Sequence, residues 1–186
     1  MTTMTMRALL ARASVAAGGL ALALPAAAHP GHGTESGFVA GFLHPLGGLD
    51  HLLALLAVGL WSRQQRHGAV LAPTFLVLMA LGASCAGGID LPRLELSIAA
   101  TVLLLGMLAA FALRLPPQLA VATVGGCAFL HGLAHGQELT GMASGAGFIL
   151  ASLLLMAAGA VPGERVRRML GAAIGAAGLC LLALAG

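Results

Sequence analysis

Long apolar runs separated by short polar breaks dominate this chain. From residue 38 onward six of them follow one another, at about 38–61, 68–89, 94–113, 118–139, 142–161 and 166–185. A helix crosses the hydrocarbon core of a bilayer with about 20 apolar residues, and each run supplies that length. The breaks fall at Arg63-Gln64-Gln65-Arg66, Asp90-Leu91-Pro92-Arg93, Arg114-Leu115-Pro116-Pro117, Gly141 and Pro162-Gly163-Glu164-Arg165. The fourth-to-fifth break is marked by little beyond Gln137, Glu138 and Thr140. Small residues let helices approach closely in lipid, so these glycine-rich runs predict an all-α, polytopic membrane bundle of six transmembrane helices. No soluble domain and no internal repeat stands out.

The N-terminal stretch has a different pattern. Arg7 and Arg12 form a basic start, Ser14 to Leu24 is a short apolar region, and Pro25-Ala26-Ala27-Ala28 offers small residues for cleavage. That order is the order of a secretory signal peptide. The expected division is a signal peptide over 1–28, a His-containing tail over 29–37 and a six-helix permease domain over 38–186.

Composition agrees with a bilayer as solvent. Of 186 residues, 59% are hydrophobic and 8% charged, against about 25% charged in soluble domains. All nine basic residues are arginines, and the formal net charge is +3. No basic stripe with interleaved aromatics accompanies it, so nucleic acid is not an expected partner. With the mature N-terminus outside, Arg63, Arg66, Arg114, Arg165, Arg167 and Arg168 fall on inner loops and Arg93 on an outer one. This bias follows the positive-inside rule and predicts both termini on the periplasmic side of a bacterial inner membrane. The three cysteines, Cys85, Cys127 and Cys180, lie far apart in apolar stretches and imply no disulfide framework.

An ionisable side chain costs roughly 2.5–3.5 kcal/mol at the centre of a span, so those that lie inside are the informative ones. Two clusters do. The first span reads His44-Pro45-Leu46-Gly47-Gly48-Leu49-Asp50-His51, and the fourth His131-Gly132-Leu133-Ala134-His135-Gly136-Gln137-Glu138. At 3.6 residues per turn, 131, 135 and 138 form one stripe. Two imidazoles and a carboxylate on a stripe suit a borderline divalent cation. Cys127 lies one turn earlier, and a small core residue is the plainer reading of it than a ligand.

In the first cluster His44 and His51 nearly align on an ideal helix, with Asp50 about 100° away. Pro45 disfavours a helical His44, and Gly47-Gly48 weakens the helix beyond it. An interrupted span points to a binding site, because loosened backbone is tolerated where it lines a cavity. With the two spans antiparallel, His44 is expected level with His135 and Glu138, and Asp50-His51 level with His131. Apart from Arg167 and Arg168 at the inner end of the last run, no Arg or Lys lies inside a span to offset the two acids, whereas a divalent cation would. His29 and His32 in the tail could capture metal outside. His67 reads as surface, Asp90, Arg93, Glu95 and Glu164 as interfacial charges, and the methionines form no ladder.

On His44-Pro45-x-x-Gly48-x-Asp50-His51 and His131-Gly132-x-Ala134-His135-Gly136-x-Glu138, the chain resembles the HupE/UreJ family. These are hydrogenase- and urease-accessory membrane proteins regarded as nickel permeases, with cobalt relatives. The resemblance covers signal peptide, tail and six spans. It implies that His44, Asp50, His51, His131, His135 and Glu138 carry the metal path, with Ni²⁺ or Co²⁺ as transported substrate and no resident cofactor. It also implies metal-delivery proteins or hydrogenase and urease maturation proteins as partners. The family pattern places a Phe directly before the second motif's first His; this chain has Leu130 there and Phe129 one position earlier.

The expected function is therefore Ni²⁺ uptake, with a Co²⁺ permease as the near alternative. The chain lacks a phosphate-binding G-x-x-x-x-G-K-[ST] loop, so it does not itself hydrolyse nucleotide. Two other classes stay open. A zinc hydrolase would use His131 and His135 with Asp50 or Glu138 activating water, but H-E-x-x-H is absent. A serine protease would use Ser144, although every histidine precedes it in the chain. A metal-binding accessory protein that does not transport would use the same ligands. The expectation is a protein that is not an enzyme.

Overall fold

The computed structural model describes residues 37–135 and 142–186. The expected signal peptide, His29, His32 and Glu138 lie outside the described residues, as does most of the fourth-to-fifth break. What is described belongs to the unit Gly33–Gly186. It is all-helical: α1 (Phe38–Gly47), α2 (Leu49–Ser62), α3 (Leu71–Cys85, entered through a 3-10 turn at Gly68–Val70), α4 (Leu94–Phe111), α5 (Pro117–His135), α6 (Met142–Ala160) and α7 (Glu164–Ala185). Five helices are long and apolar enough to cross a membrane, and the α1–α2 pair makes six if counted as one span. Their outward faces carry exposed Val77, Leu104, Leu119, Leu153 and Leu179, as a lipid environment requires.

The first span is interrupted, as its sequence leads one to expect. α1 and α2 meet at 86°, and the break falls at Gly48, whose backbone is extended (φ −101°, ψ 116°). Of the two expected weak points the helix breaks at Gly47-Gly48 and not at Pro45, which was expected to disfavour a helical His44. His44 and Pro45 are instead helical, inside α1. Proline biases its predecessor without forbidding the helix, whereas two consecutive glycines give up the most backbone freedom on becoming helical.

α2 is the central helix. It packs on α4, α6 and α7, α1 lies on α6, α3 pairs with α5, and α4 pairs with α7. The core joins Ala54, Leu55, Val58 and Trp61 of α2 to Phe75, Val102, Leu105, Val124, Met156 and Ile174. Close approach is set by missing side chains. Gly59 lies against the Met156 carbonyl and Gly159 against that of Leu56, so α2 and α6 touch backbone to backbone. Dispersion between such closely apposed helices stands in for the hydrophobic drive that lipid cannot supply.

Candidate metal pathway

His51 is the third residue of α2 and wholly buried; His131 lies on α5 and is also wholly buried. About 17 Å of helix separates His51 from the Ser62 end of α2, and about 21 Å separates His131 from Pro117, at 1.5 Å per residue. Both distances reach near the middle of a core about 30 Å thick. The two imidazoles meet edge to face, centroids 5.3 Å apart with planes at 79°. The expected pairing of His51 with His131 is therefore present.

Two phenyl rings flank these imidazoles. Phe148 of α6 lies 5.3 Å from the His51 ring and 5.7 Å from the His44 ring. It touches imidazoles on both sides of the break. Phe75 of α3 lies 6.2 Å from the His131 ring. Rings of this kind exclude water and lower the local dielectric, which strengthens any charge interaction made there.

Asp50 stands in the first turn of α2, half-buried. Its Oδ1 accepts the His51 backbone N–H at 2.8 Å. Gly48 brings no capping side chain, so this carboxylate satisfies one of the helix's first N–H groups, where a negative charge is also favoured by the helix dipole. His131 has a hydroxyl neighbour: Thr101 Oγ1 of α4 lies 2.9 Å from its Nε2. Gly132, the next residue, lets α5 touch α3, its Cα facing the Met79 carbonyl.

Among the described residues, no group of three or more His, Cys, Asp or Glu side chains stands close enough to hold a metal ion together. The arrangement brings His51 to His131, with His44 joined to them through Phe148. His135 ends α5. Cys127 is buried in the apolar core cluster, in keeping with its reading as a packing residue. Ser144 is buried where its carbonyl meets Gly41 of α1.

A sequence profile described as HupE / UreJ protein matches residues 16–186. The chain belongs to the HupE/UreJ family. Protein HupE of Rhizobium leguminosarum bv. viciae is 40% identical over 178 aligned positions, which span 87% of this chain and 93% of that protein. No solved structure matches. The family is one of hydrogenase and urease accessory proteins, consistent with nickel transport. In this HupE/UreJ chain the two motifs meet at the break of α1–α2, with His51 of one against His131 of the other.

Reading the sequence by ionisable residues missed Thr101, Phe75 and Phe148. Thr101 had a signal, being the sole polar side chain between Ser97 and Phe111. The two phenylalanines had none, since a buried Phe in a membrane span looks the same whether it faces an imidazole or a leucine.

Proposed function

We propose that the chain is a permease for Ni²⁺ uptake across the bacterial inner membrane, serving hydrogenase or urease maturation. The reading rests above all on the buried His51–His131 pair at a broken helix. Two buried imidazoles beside phenyl rings are costly for packing alone and suited to a cation shedding water. In this reading the metal enters among His44, His135 and Glu138 toward the outer face and passes to Asp50, His51 and His131 deeper in the bilayer. His29 and His32 would gather metal outside, on a tail exposed after signal cleavage, and both mature termini are periplasmic. Ligands must be deprotonated to bind, so uptake weakens in acid. Nickel and cobalt accept the same donor types, so cobalt competes.

The test is radiolabelled nickel accumulation in nickel-starved cells expressing the chain, with membrane insertion verified. Parent cells should accumulate nickel above empty cells, and His131→Ala and Asp50→Asn should remove that excess. A parent indistinguishable from empty cells would overturn the nickel assignment. Nickel bound by the purified protein without flux into liposomes would convert it to a binding accessory protein.

A further inference from the structure

The hydroxyl of Thr101 has one proton and two neighbours. Its Oγ1 lies 2.7 Å from the Ile98 carbonyl, three residues back in α4, and 2.9 Å from His131 Nε2. A threonine in a helix commonly donates to the carbonyl three or four residues back. The Ile98 carbonyl can only accept, whereas the His131 nitrogen accepts or donates according to its tautomer, so making both contacts hydrogen bonds at once requires the hydroxyl proton on the Ile98 carbonyl. Toward His131, Oγ1 is then an acceptor, and the ring nitrogen facing it must be the one that carries hydrogen.

We propose that Thr101 is a positioning residue of the metal path, holding His131 as the Nε2-protonated tautomer so that Nδ1 is the nitrogen that ligates the passing cation. The assignment rests on the permease reading and deepens it. Histidines that ligate metals generally give their other ring N–H to a fixed oxygen, which sets both tautomer and ring orientation. Thr101 supplies that oxygen from a third helix, itself nearly buried and anchored to its own backbone. The α4 helix, which carries no proposed ligand, thereby sets the chemistry of the ligand on α5.

The test combines transport kinetics with ring ¹⁵N spectroscopy on the full chain. Thr101→Val keeps the shape and removes the oxygen; Thr101→Ser keeps the oxygen. Loss of such a partner typically lowers metal affinity about 10–100-fold. Thr101→Val should therefore raise the KM for Ni²⁺ uptake by about that factor, with Vmax per inserted protein changed less than about threefold. Thr101→Ser should stay within about threefold of the parent in KM. In metal-free parent protein in lipid at mildly alkaline pH, ¹⁵N-labelled His131 should show hydrogen on Nε2, and Thr101→Val should show a mixture of tautomers.

Three results overturn the inference: hydrogen on Nδ1 in the parent, Thr101→Val with an unchanged KM, or Thr101→Ser as impaired as Thr101→Val. The spectrum of the parent decides the matter even if Thr101→Val fails to insert. His131→Ala separates the layers. If it transports like the parent, the pathway reading falls, and the inference with it. If it is inactive while Thr101→Val keeps the parent KM, only the inference falls.

Discussion

Where α2 meets the C-terminal end of α4, polar side chains are committed to main-chain carbonyls. Trp61 Nε1 and Gln65 Nε2 each donate to the Leu113 carbonyl at 2.8 Å, Gln64 Nε2 to that of Ala109 at 3.0 Å, and Arg168 Nε to that of Ala110 at 3.0 Å. At the break between α1 and α2, imidazoles instead meet each other and phenyl rings. The first arrangement supplies donors to carbonyls at the end of a helix, where partners within the helix run out. Its donors cannot turn to a cargo without exposing those carbonyls again. The second consists of groups that can exchange one neighbour for a metal ion. Burial of polar side chains therefore has two meanings in one bundle. In these two regions the partners differ: the fastening is built mainly on backbone oxygens, and at the break imidazoles face other side chains.

The largest expected effect falls on the second region. His51→Ala should bring nickel accumulation to the level of empty cells, because it removes one of the two imidazoles that meet at the crossing. Retained uptake with His51→Ala would make the pair a packing device and erase the contrast. Gly132→Ala should come next. A Cβ there collides with the Met79 backbone, which cannot swing aside, so α5 must shift at the residue beside His131. Overpacking of this kind costs about 1–3 kcal/mol, and a raised KM for nickel is expected alongside less inserted protein. An unchanged KM would mean that the imidazole pair tolerates helix movement.

The fastening should respond differently. Trp61→Phe deletes a fully buried N–H donor and part of a ring at the core of α2. A lost hydrogen bond and a residual cavity together cost about 1–3 kcal/mol. Thermal unfolding in detergent should register that loss while the KM for nickel stays at the parent value. A KM that moves with Trp61→Phe would show the two regions to be coupled through α2.

Much of this contrast was legible in the chain itself. Apolar runs gave the helices to within a few residues, because length and hydropathy decide spans almost alone. The second span ends at Cys85 and not near residue 89, and the fourth span, α5, begins at Pro117. Antiparallel pairing of the two motifs brought His51 level with His131, as the spacing implied. The interruption was legible and its 86° angle was not: Pro45 and Gly47-Gly48 both signal a weak helix, and neither says how far the chain turns. Thr101 was legible as a lone polar residue in its span but its partner was not, since a hydroxyl in a span normally bonds its own helix and its second neighbour is a matter of tertiary position. The fastening at Leu113 was hidden for a related reason. Gln64 and Gln65 looked like a loop marker, and nothing in their sequence indicates which carbonyls they reach.

The smallest expected effect lies in the turn that presents Leu113. Ala112 sits at the C-terminal cap of α4 with φ 50° and ψ 41°, left-handed backbone. Its N–H reaches the Ala109 carbonyl and the Leu113 N–H that of Leu108, the paired pattern in which glycine usually occupies the turning position. Left-handed geometry costs a side chain about 1–2 kcal/mol, while glycine adds about 0.4–1 kcal/mol of freedom to the unfolded chain. The first term is the larger, so Ala112→Gly should stabilise by up to about 1 kcal/mol, a rise of roughly 2–4 °C for a chain of this size. Nickel KM should not change, since the turn belongs to the fastening and not to the path. A lower unfolding temperature would mean that the Trp61 and Gln65 bonds need the stiffness of alanine at the turn, and that the fastening gains more from a rigid acceptor than it loses to strain.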